Sequence, residues 1–312
     1  MPEVLRSIFW NLWRNFHEIA KISGIMKFLV LRRTAFFLAL VLSGFNFTTP
    51  SSMAAVKPLR ILLITGGCCH DYAKQKNILK DGIESRINAV VDQVHTDDSS
   101  TRPPLAILGH PDYAKGYDLV IHDECGADIS DPAIVEGVLK PHRDGTPGVN
   151  LHCAMHCYRI GNPNDPVTSG TPHGYWFEYL GLQSSGHGPQ QPISITFTNK
   201  ESPIVHGLSD WTTINEEHYN NVHIFDKATP LAHGTQVVTG RNGTSRTNDF
   251  VVVWTNQYGP KNTRVFSTTI GHNNATVQDP RYLDLVTRGV LWATGHLKED
   301  GTPAEGYAPA SK

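Results

Sequence analysis

The residues best suited to chemistry in this sequence stand at the ends of apolar runs. Histidines, cysteines and acids follow four of these runs, and one further group lies in a polar segment between two later runs. The groups are Cys68-Cys69-His70-Asp71, His122-Asp123-Glu124, His152-Cys153, Gly271-His272-Asn273 and, in the polar segment, Glu216-Glu217-His218-Tyr219. If the apolar runs are parallel strands, their carboxyl ends meet at one edge of a sheet and bring these side chains together.

The first chemistry that such an edge could support is metal binding. Imidazole and carboxylate groups are usual protein ligands of a divalent metal such as zinc or manganese. We take His70, His152, His218 and His272 as candidate ligands and Glu217 as a ligand or general base. The 16 histidines of the chain favour this hypothesis, but no HExxH or CxxC motif supports it. Histidines that only hydrogen-bond the backbone at the strand ends are an equally good interpretation.

A cysteine nucleophile is the second chemistry. A nucleophile on a tight strand-to-helix turn needs small residues two positions before and two positions after it. Around Cys153 these positions hold the bulky Leu151 and Met155, whereas around His152 both positions are compact. The pattern therefore favours His152 at the apex of the turn and argues against a thiol enzyme.

A sugar pocket without a metal is the third chemistry, because planar polar groups and aromatic faces recognise sugar hydroxyls. Side chains of this kind are Tyr72, Tyr158, His173, Trp176, Glu217, Tyr219 and Asn220. Of the predicted site residues, the catalytic ones are His152, Glu217 and His218, and the substrate-binding ones are Asp71, Tyr72, His173, Tyr219 and Asn220. Gly66-Gly67 lacks the rest of a dinucleotide fingerprint, so no nucleotide cofactor is predicted.

The elements that must position these residues follow the order of an open α/β sheet. An apolar run that ends in two glycines and is followed by helical spacing is typical of a parallel sheet. The predicted strands are 59–65, 89–94, 117–122, 148–152, 193–198, 235–239, 250–255 and 264–270. The predicted helices are 73–87, one that starts at Asp131-Pro132, and 281–294. The segment 158–191 is too long for a plain connection and predicts a functional or covering loop.

Composition narrows the function classes. The 27 Lys+Arg residues nearly balance 29 Asp+Glu residues, so the chain has no basic stripe for a nucleic acid partner. Five cysteines are too few and wrongly spaced for a disulfide scaffold, and an odd number leaves at least one thiol unpaired.

The N-terminus has the layout of a cleavable secretory signal. An apolar run at 35–47 follows Lys27, Arg32 and Arg33, and Ser52-Met53-Ala54 offers a small-x-small cleavage site. We therefore predict a signal peptide or N-terminal extension over 1–55, cleavage near Ala54, and an exported, periplasmic or secreted protein without a stable membrane span. An uncleaved anchor is the alternative, and translation could start at Met1 or at Met26. The folded domain is expected at 56–298, with a flexible tail at 299–312.

Five segments share one order with a known family. They are LLITGGCCHD at 62–71, GVNLHCA at 148–154, EEHY at 216–219, RVFSTTIGH at 264–272 and RGVLWA at 288–293. This pattern resembles the ThuA-like (trehalose utilisation) family. The resemblance implies a flavodoxin-like three-layer α/β/α sandwich with a mostly parallel sheet, similar to class I glutamine amidotransferases but without their Cys-His-Glu triad. His152 occupies the place of the amidotransferase cysteine.

The resemblance implies a role in carbohydrate metabolism, on sugars or keto-glycosides. The doubled Cys68-Cys69 and the pair Cys153 and Cys157 depart from the family pattern. The leading hypothesis is an isomerase, lyase or hydrolase that acts on a sugar substrate at the carboxyl edge of the sheet, with one divalent metal. A non-catalytic sugar-binding or partner-scaffolding module is the alternative, and a homo-oligomer is left open.

Overall fold

The computed structural model describes residues 56–240 and 242–309. Within them, nine strands form one sheet in the order β2-β1-β3-β4-β11-β10-β9-β6-β7, and β5 pairs with β8 separately. The strands are β1 Leu59–Gly67, β2 Ala89–Thr96, β3 Leu119–Cys125, β4 Gly148–Leu151, β5 Leu182–Gln183, β6 Gln191–Phe197, β7 Trp211–Glu216, β8 His223–Ile224, β9 Thr229–Thr239, β10 Ser245–Tyr258 and β11 Thr263–Thr268.

The sheet has a parallel part and an antiparallel part. Strands β2, β1, β3, β4 and β11 pair in parallel, while β10, β9, β6 and β7 continue the sheet with antiparallel pairs. The carboxyl ends of the five parallel strands therefore share one edge, which we call the rim. The predicted α/β class with a mostly parallel central sheet and flanking helices is confirmed.

The helices cover both faces of the sheet and create two cores. They are α1 Tyr72–Glu84, α2 Pro132–Arg143, α3 Tyr175–Leu180, α4 Asn274–Val277 and α5 Pro280–Ala293. Along β1, Leu59, Ile61 and Leu63 pack with α1 and α5, whereas Leu62 and Ile64 pack with α2 and α3 on the other face. Because successive strand residues point to opposite faces, a continuous apolar run such as β1 indicates a strand that is covered on both sides.

Local signals fix the starts of two long helices. The side chain of Asp131 accepts a hydrogen bond from the Ala133 amide at 2.8 Å, and Pro132 occupies the first helical position of α2. At α5, Asp279 accepts a hydrogen bond from the Arg281 amide at 2.9 Å. An acidic N-cap followed by proline satisfies a free amide and presets the backbone. This signal predicted the start of α2, whereas α5 was predicted over 281–294 from its apolar spacing.

Several features differ from the sequence predictions. Strand β7 and helix α3 were not anticipated, because neither segment shows a clear apolar period on its own. His152 was placed in the fourth strand, but that strand ends at Leu151 and His152 begins a 3-10 helix that runs to His156.

The expected flexible tail at 299–312 is corrected for its described part. Residues 299–309 pack on the domain, since Tyr307 stacks on His296 with a ring separation of 3.8 Å. The Tyr307 carbonyl also accepts the Asn88 amide at 3.0 Å. The predictions for 1–55 lie outside the described residues, and among the described helices none is long and apolar enough to cross a bilayer.

Candidate metal centre

Three histidines and one glutamate meet at the rim. We call His70, His152, Glu217 and His272 the rim cluster, and their candidate ligand atoms all lie within 4.8 Å of one another. The histidines follow β1, β4 and β11, three strands of the parallel part, and the glutamate follows the antiparallel edge strand β7. The rim cluster therefore joins residues that are up to about two hundred positions apart in the chain, as expected where parallel strands end together.

His70 is the least restrained member of the cluster. Its ring lies 4.6 Å from the ring of His152 and 4.8 Å from that of His272. Both of its ring nitrogens are buried and have no hydrogen-bond partner among the described residues. Burial, together with the neighbouring histidines, lowers the pKa of His70 to about 3. The imidazole is therefore neutral at ordinary pH and has a free lone pair, the form that binds a metal.

His152 stands at the apex of the turn after β4, as its compact neighbours predicted. Its φ of +42° lies in the left-handed region, which few residues with a side chain adopt. The carbonyl of Thr269 can only accept, so His152 Nδ1 donates to it at 2.6 Å. This leaves Nε2 on the side of the rim cluster, 3.4 Å from Glu217 Oε2. A backbone partner on one nitrogen with the other nitrogen free is the arrangement found in most metal-binding histidines.

The buried carboxylate of Glu216 holds the turn that carries His272. It accepts the backbone amides of Gly271 at 3.3 Å, His272 at 2.8 Å and Asn273 at 3.1 Å. From the other side, the Gln75 amide donates to the carbonyls of Gly271 at 3.3 Å and His272 at 3.1 Å. Hydrogen bonds to a charged acceptor are about twice as strong as neutral ones, so the backbone at His272 is firmly placed.

Glu217 lies between the histidines as an anion. Its Oε1 is 3.3 Å from His272 Nδ1, and its Oε2 is 3.6 Å from Nε2 of the half-exposed His187. Burial by itself would raise the pKa of Glu217, but interactions with the neighbouring rings of His152 and His272 outweigh it and lower that pKa far below its usual range. The Glu217 carboxyl therefore stays ionised at any ordinary pH.

The donor set fits a divalent transition metal. Three imidazoles and a carboxylate within a few ångströms are ligands that zinc accepts readily. The two unpartnered nitrogens of His70 are the specific observation, because a buried polar atom without a partner costs stability unless something else satisfies it.

The structure does not bring His218 into the rim cluster. Its ring packs on Phe250 at a ring separation of 4.9 Å. Its Nε2 lies against the backbone of Gly234, 3.2 Å from the position that a Cβ atom would take on this glycine. Burial lowers the pKa of His218 to about 4. Successive side chains of an extended segment point to opposite sides, so with Glu217 in the cluster, His218 turns away from it.

Two of the predicted substrate-binding residues contact the rim cluster. Tyr72 is buried, and its ring lies edge-on to that of His70 at 5.5 Å. The hydroxyl of Tyr219 is 3.3 Å from His152 Nε2, and its ring stacks on His156 at 4.1 Å.

The other three predicted substrate-binding residues have different contacts. Asp71 pairs with Lys74 at 3.0 Å at the exposed start of α1. Asn220 accepts the Ser185 amide at 2.9 Å and so holds the loop 184–186. His173 lies on an exposed 3-10 turn, and no ring contact or hydrogen bond joins it to the rim cluster among the described residues.

Sequence reasoning missed Glu216, His187 and Gln190 as site residues. Gln190 donates to His272 Nε2 at 2.8 Å and to Glu217 Oε1 at 3.3 Å. The length of the segment 158–191 was the available signal, because it predicted a functional or covering loop. No spacing rule singled out Glu216 from Glu217.

The thiol of Cys153 is not activated. It is buried and shares a hydrogen bond with Cys125, and this bond together with burial raises the pKa of Cys153 well above its usual value. A nucleophilic cysteine needs a lowered pKa. This agrees with the argument from the turn that disfavoured a thiol enzyme.

Comparison with known proteins adds the family. No curated protein matches the chain. A solved ThuA-like protein from Parabacteroides merdae is 20% identical, with a TM-score of 0.56, and the match covers 81% of this chain and 97% of that one. One from Bacteroides uniformis is 17% identical with a TM-score of 0.49, over 81% and 98% of the two chains. A glutamine amidotransferase from Thermotoga maritima is 12% identical with a TM-score of 0.36, over 77% and 95%.

At identities this low, the similarity to the Parabacteroides protein shows the fold alone. Family membership is shown by the amino-acid sequence. The family model for ThuA, described as trehalose utilisation, matches residues 60–293, which is most of the described domain. The chain therefore belongs to the ThuA family of trehalose utilisation, and this membership indicates a carbohydrate-related role.

Proposed function

We propose that this protein is an enzyme that acts on a sugar or keto-glycoside at the rim, with one divalent metal held by the rim cluster. The observation that carries the proposal is the convergence of His70, His152, Glu217 and His272, with ligand atoms within 4.8 Å of one another. Strand ends at the carboxyl edge of an α/β sheet are where such folds place their ligands. The ThuA membership supports a carbohydrate as the ligand.

The three histidines of the rim cluster would bind the metal through ring nitrogens, and Glu217 would be the fourth ligand. A bound metal supplies a Lewis acid that polarises a carbonyl oxygen and stabilises negative charge on it. Because its pKa is far below the usual range, Glu217 is a weak base, and we assign it as a ligand rather than as the group that takes a proton from the substrate.

Proton transfer then falls to a different side chain than the sequence suggested. His218 is turned away from the cluster, whereas His187 Nε2 lies 3.6 Å from Glu217 and the His187 side chain is 40% exposed. Histidine is the commonest general acid or base in enzymes. We therefore assign His187 as the residue that exchanges protons between the site and solvent.

Metal content and turnover, measured together, test this proposal. The purified protein is analysed for bound metal and incubated with a set of glycosides and their 3-keto derivatives. We expect one divalent metal per chain and turnover of a keto-glycoside. The variant His152→Ala should lose both, while the matched control His110→Ala, at an exposed position away from the cluster, should keep both.

Each other outcome has a defined meaning. Turnover without bound metal would exclude a role for the metal and would favour a sugar pocket that acts without one. Bound sugar without turnover, altered only in affinity by His152→Ala, would favour a non-catalytic sugar-binding module. The proposal would be overturned if the protein bound no metal and showed neither binding nor turnover of any sugar.

A further inference from the structure

A second group of metal-binding atoms lies beside the rim cluster and has a different chemistry. The sulfur atoms of Cys68, Cys69 and Cys125 all lie within 4.8 Å of one another. Cys68 and Cys69 directly precede His70, and Cys125 is the last residue of β3. We call these three residues the sulfur cluster. Neither the family membership nor the proposed carbohydrate function uses it.

The sheet brings the sulfur cluster together. In the parallel register of β1 and β3, Gly67 pairs with Cys125, so the residue after Gly67 leaves the strand beside the cysteine. The φ of Gly67 is +100°, and a Cβ at this position would collide with the carbonyl oxygen of Cys125. Only glycine allows both the conformation and the close approach, and this places Cys68 Sγ 3.3 Å from Cys125 Sγ.

In the structure the sulfur cluster is in its oxidised form. Cys68 and Cys69 are joined by a disulfide, and Cys125, Cys153 and Cys157 are the free cysteines of the described residues. The other two free cysteines are placed differently. Cys157 Sγ donates to the Glu124 carbonyl at 3.0 Å and accepts the Gly126 amide at 2.9 Å, and Cys153 is buried against Cys125 and Tyr72.

The surroundings of the sulfur cluster are suited to a soft cation. Its buried neighbours are Tyr72 and Cys153, and the partly buried Ala127 also packs against it. Thiolate ligands select soft or borderline d10 cations such as Zn2+, Cd2+ and Cu+ over Mg2+ or Mn2+. The imidazole and carboxylate donors of the rim cluster do not make that selection as strongly, so the two neighbouring groups differ in the metals they prefer.

We propose that the sulfur cluster is a redox-gated binding site for one thiophilic d10 cation. A dithiol reductant transfers two electrons to the Cys68–Cys69 disulfide, becomes a cyclic disulfide itself, and leaves two thiols in the protein. The cation then displaces the protons of Cys68, Cys69 and Cys125 and forms three metal–sulfur bonds. In the oxidised protein Cys125 is the only member of the sulfur cluster that is still a thiol, so the cluster cannot bind the cation with three sulfur ligands.

Cadmium is the probe that tests this site, because cadmium–thiolate bonds have an ultraviolet charge-transfer band that imidazole and carboxylate ligands do not produce. The full-length protein is treated with a dithiol, desalted without oxygen and titrated with Cd2+, beside an untreated sample. We expect the band to saturate at one equivalent in the reduced protein and to be absent from the oxidised protein. Circular dichroism of both samples verifies that reduction leaves the fold intact.

Variants assign the band to the three cysteines. Cys125→Ser and Cys69→Ser should each lose it. If the buried Cys125 variant does not fold, Cys69→Ser still tests the site, because Cys69 is exposed and its exchange leaves the core untouched. Cys157→Ser is the matched control, since a serine can keep both hydrogen bonds of Cys157, and it should retain the full band. No band in the reduced protein, or an unchanged band in Cys69→Ser, would overturn the proposal.

The rim cluster must not influence this result. His152→Ala removes a rim ligand and should leave the cadmium–thiolate band unchanged in the reduced protein. A failure of the carbohydrate proposal would therefore leave this test intact. Loss of the band in His152→Ala would contradict a separate sulfur site.

Discussion

Two groups of histidine and glutamate side chains in this protein have similar composition but differ in their hydrogen bonding. The rim cluster has ring nitrogens without partners among the described residues, whereas the second group, His122, Glu124 and His142, lies in the core. There, His122 bonds Glu124 at 2.8 Å and His142 at 3.1 Å, and His142 Nδ1 donates to the Thr146 carbonyl at 2.8 Å. We call these three residues the core cluster. Every histidine nitrogen in it has a partner.

The comparison shows that histidine content alone does not identify a site. In the core cluster, a neutral His142 donates through Nδ1 and accepts at Nε2, so His122 donates there. No histidine nitrogen of the core cluster is left to bind a ligand. At the rim, both ring nitrogens of His70 have no partner among the described residues. A satisfied buried network rigidifies a fold, while an unsatisfied one indicates a missing partner.

The largest expected effects come from replacing a glutamate by alanine in each of the two clusters. In the rim cluster the variant is Glu217→Ala. It removes a rim ligand, so turnover of a keto-glycoside should fall by about 10²–10³-fold, the range for the loss of one group that stabilises charge in the transition state. The free energy of unfolding should fall by only about 1–2 kcal/mol, because water at this edge of the domain can take the place of the carboxylate. Steady-state kinetics and urea unfolding measure the two effects, and Glu201→Ala, at an exposed glutamate, is the control. Unchanged turnover would remove Glu217 from the site.

The core counterpart is Glu124→Ala, and it should affect stability. Glu124 accepts a hydrogen bond from Tyr158 at 2.7 Å and is 0% exposed. Its loss leaves the Tyr158 hydroxyl and the Nδ1 atom of His122 without a partner and opens a cavity, which should cost about 3–5 kcal/mol in the free energy of unfolding. Metal content of the folded fraction should stay normal. A stable Glu124→Ala protein with reduced metal content would reverse the roles of the two clusters.

A smaller effect is expected from Glu216→Gln, which tests how the rim is supported. The Glu216 carboxylate accepts hydrogen bonds from the backbone of the turn at 271–273, so we assign it as a positioning residue for His272. The amide of glutamine can accept fewer of these three hydrogen bonds, and metal affinity should fall by about 10–100-fold, as for other supporting groups of metal ligands. A metal titration measures this, and an affinity equal to that of the wild type would show that His272 is held by other contacts.

The smallest effect concerns the pH dependence of stability in the core cluster. Burial, with a further contribution from His122, lowers the pKa of His142 to about 3, whereas an unfolded histidine titrates near a pKa of about 6.5. Between these values the unfolded state binds a proton that the folded state does not, so stability falls as the pH decreases from about 6.5 towards about 3. The slope from this residue is at most about 1.4 kcal/mol per pH unit.

Urea unfolding at several pH values, compared between the wild type and His142→Leu, measures that slope. The variant is expected to be less stable at every pH but to lose less stability on acidification. Equal slopes in the two proteins would show that other buried histidines dominate the acid response and that His142 does not contribute.

The sequence by itself determined the parallel part of the fold and three of the four rim residues. Continuous apolar runs predict covered parallel strands, and such strands end at one edge, so the sequence was enough to place His70, His152 and His272 together. The compact residues on either side of His152 also predicted its place at the apex of a turn. These signals are local, because each depends on a strand and the few residues that follow it.

Only the tertiary structure decided which residue of the segment 216–218 faces the site. Strand β7 is at the antiparallel edge, and its register with β6 shifts between Pro192 and Ser194. A shift of one residue reverses which side chains face each side of a sheet, so the sequence could not choose between Glu217 and His218. The choice depends on pairing between segments that are distant in the chain, and so does the difference between the open rim cluster and the satisfied core cluster.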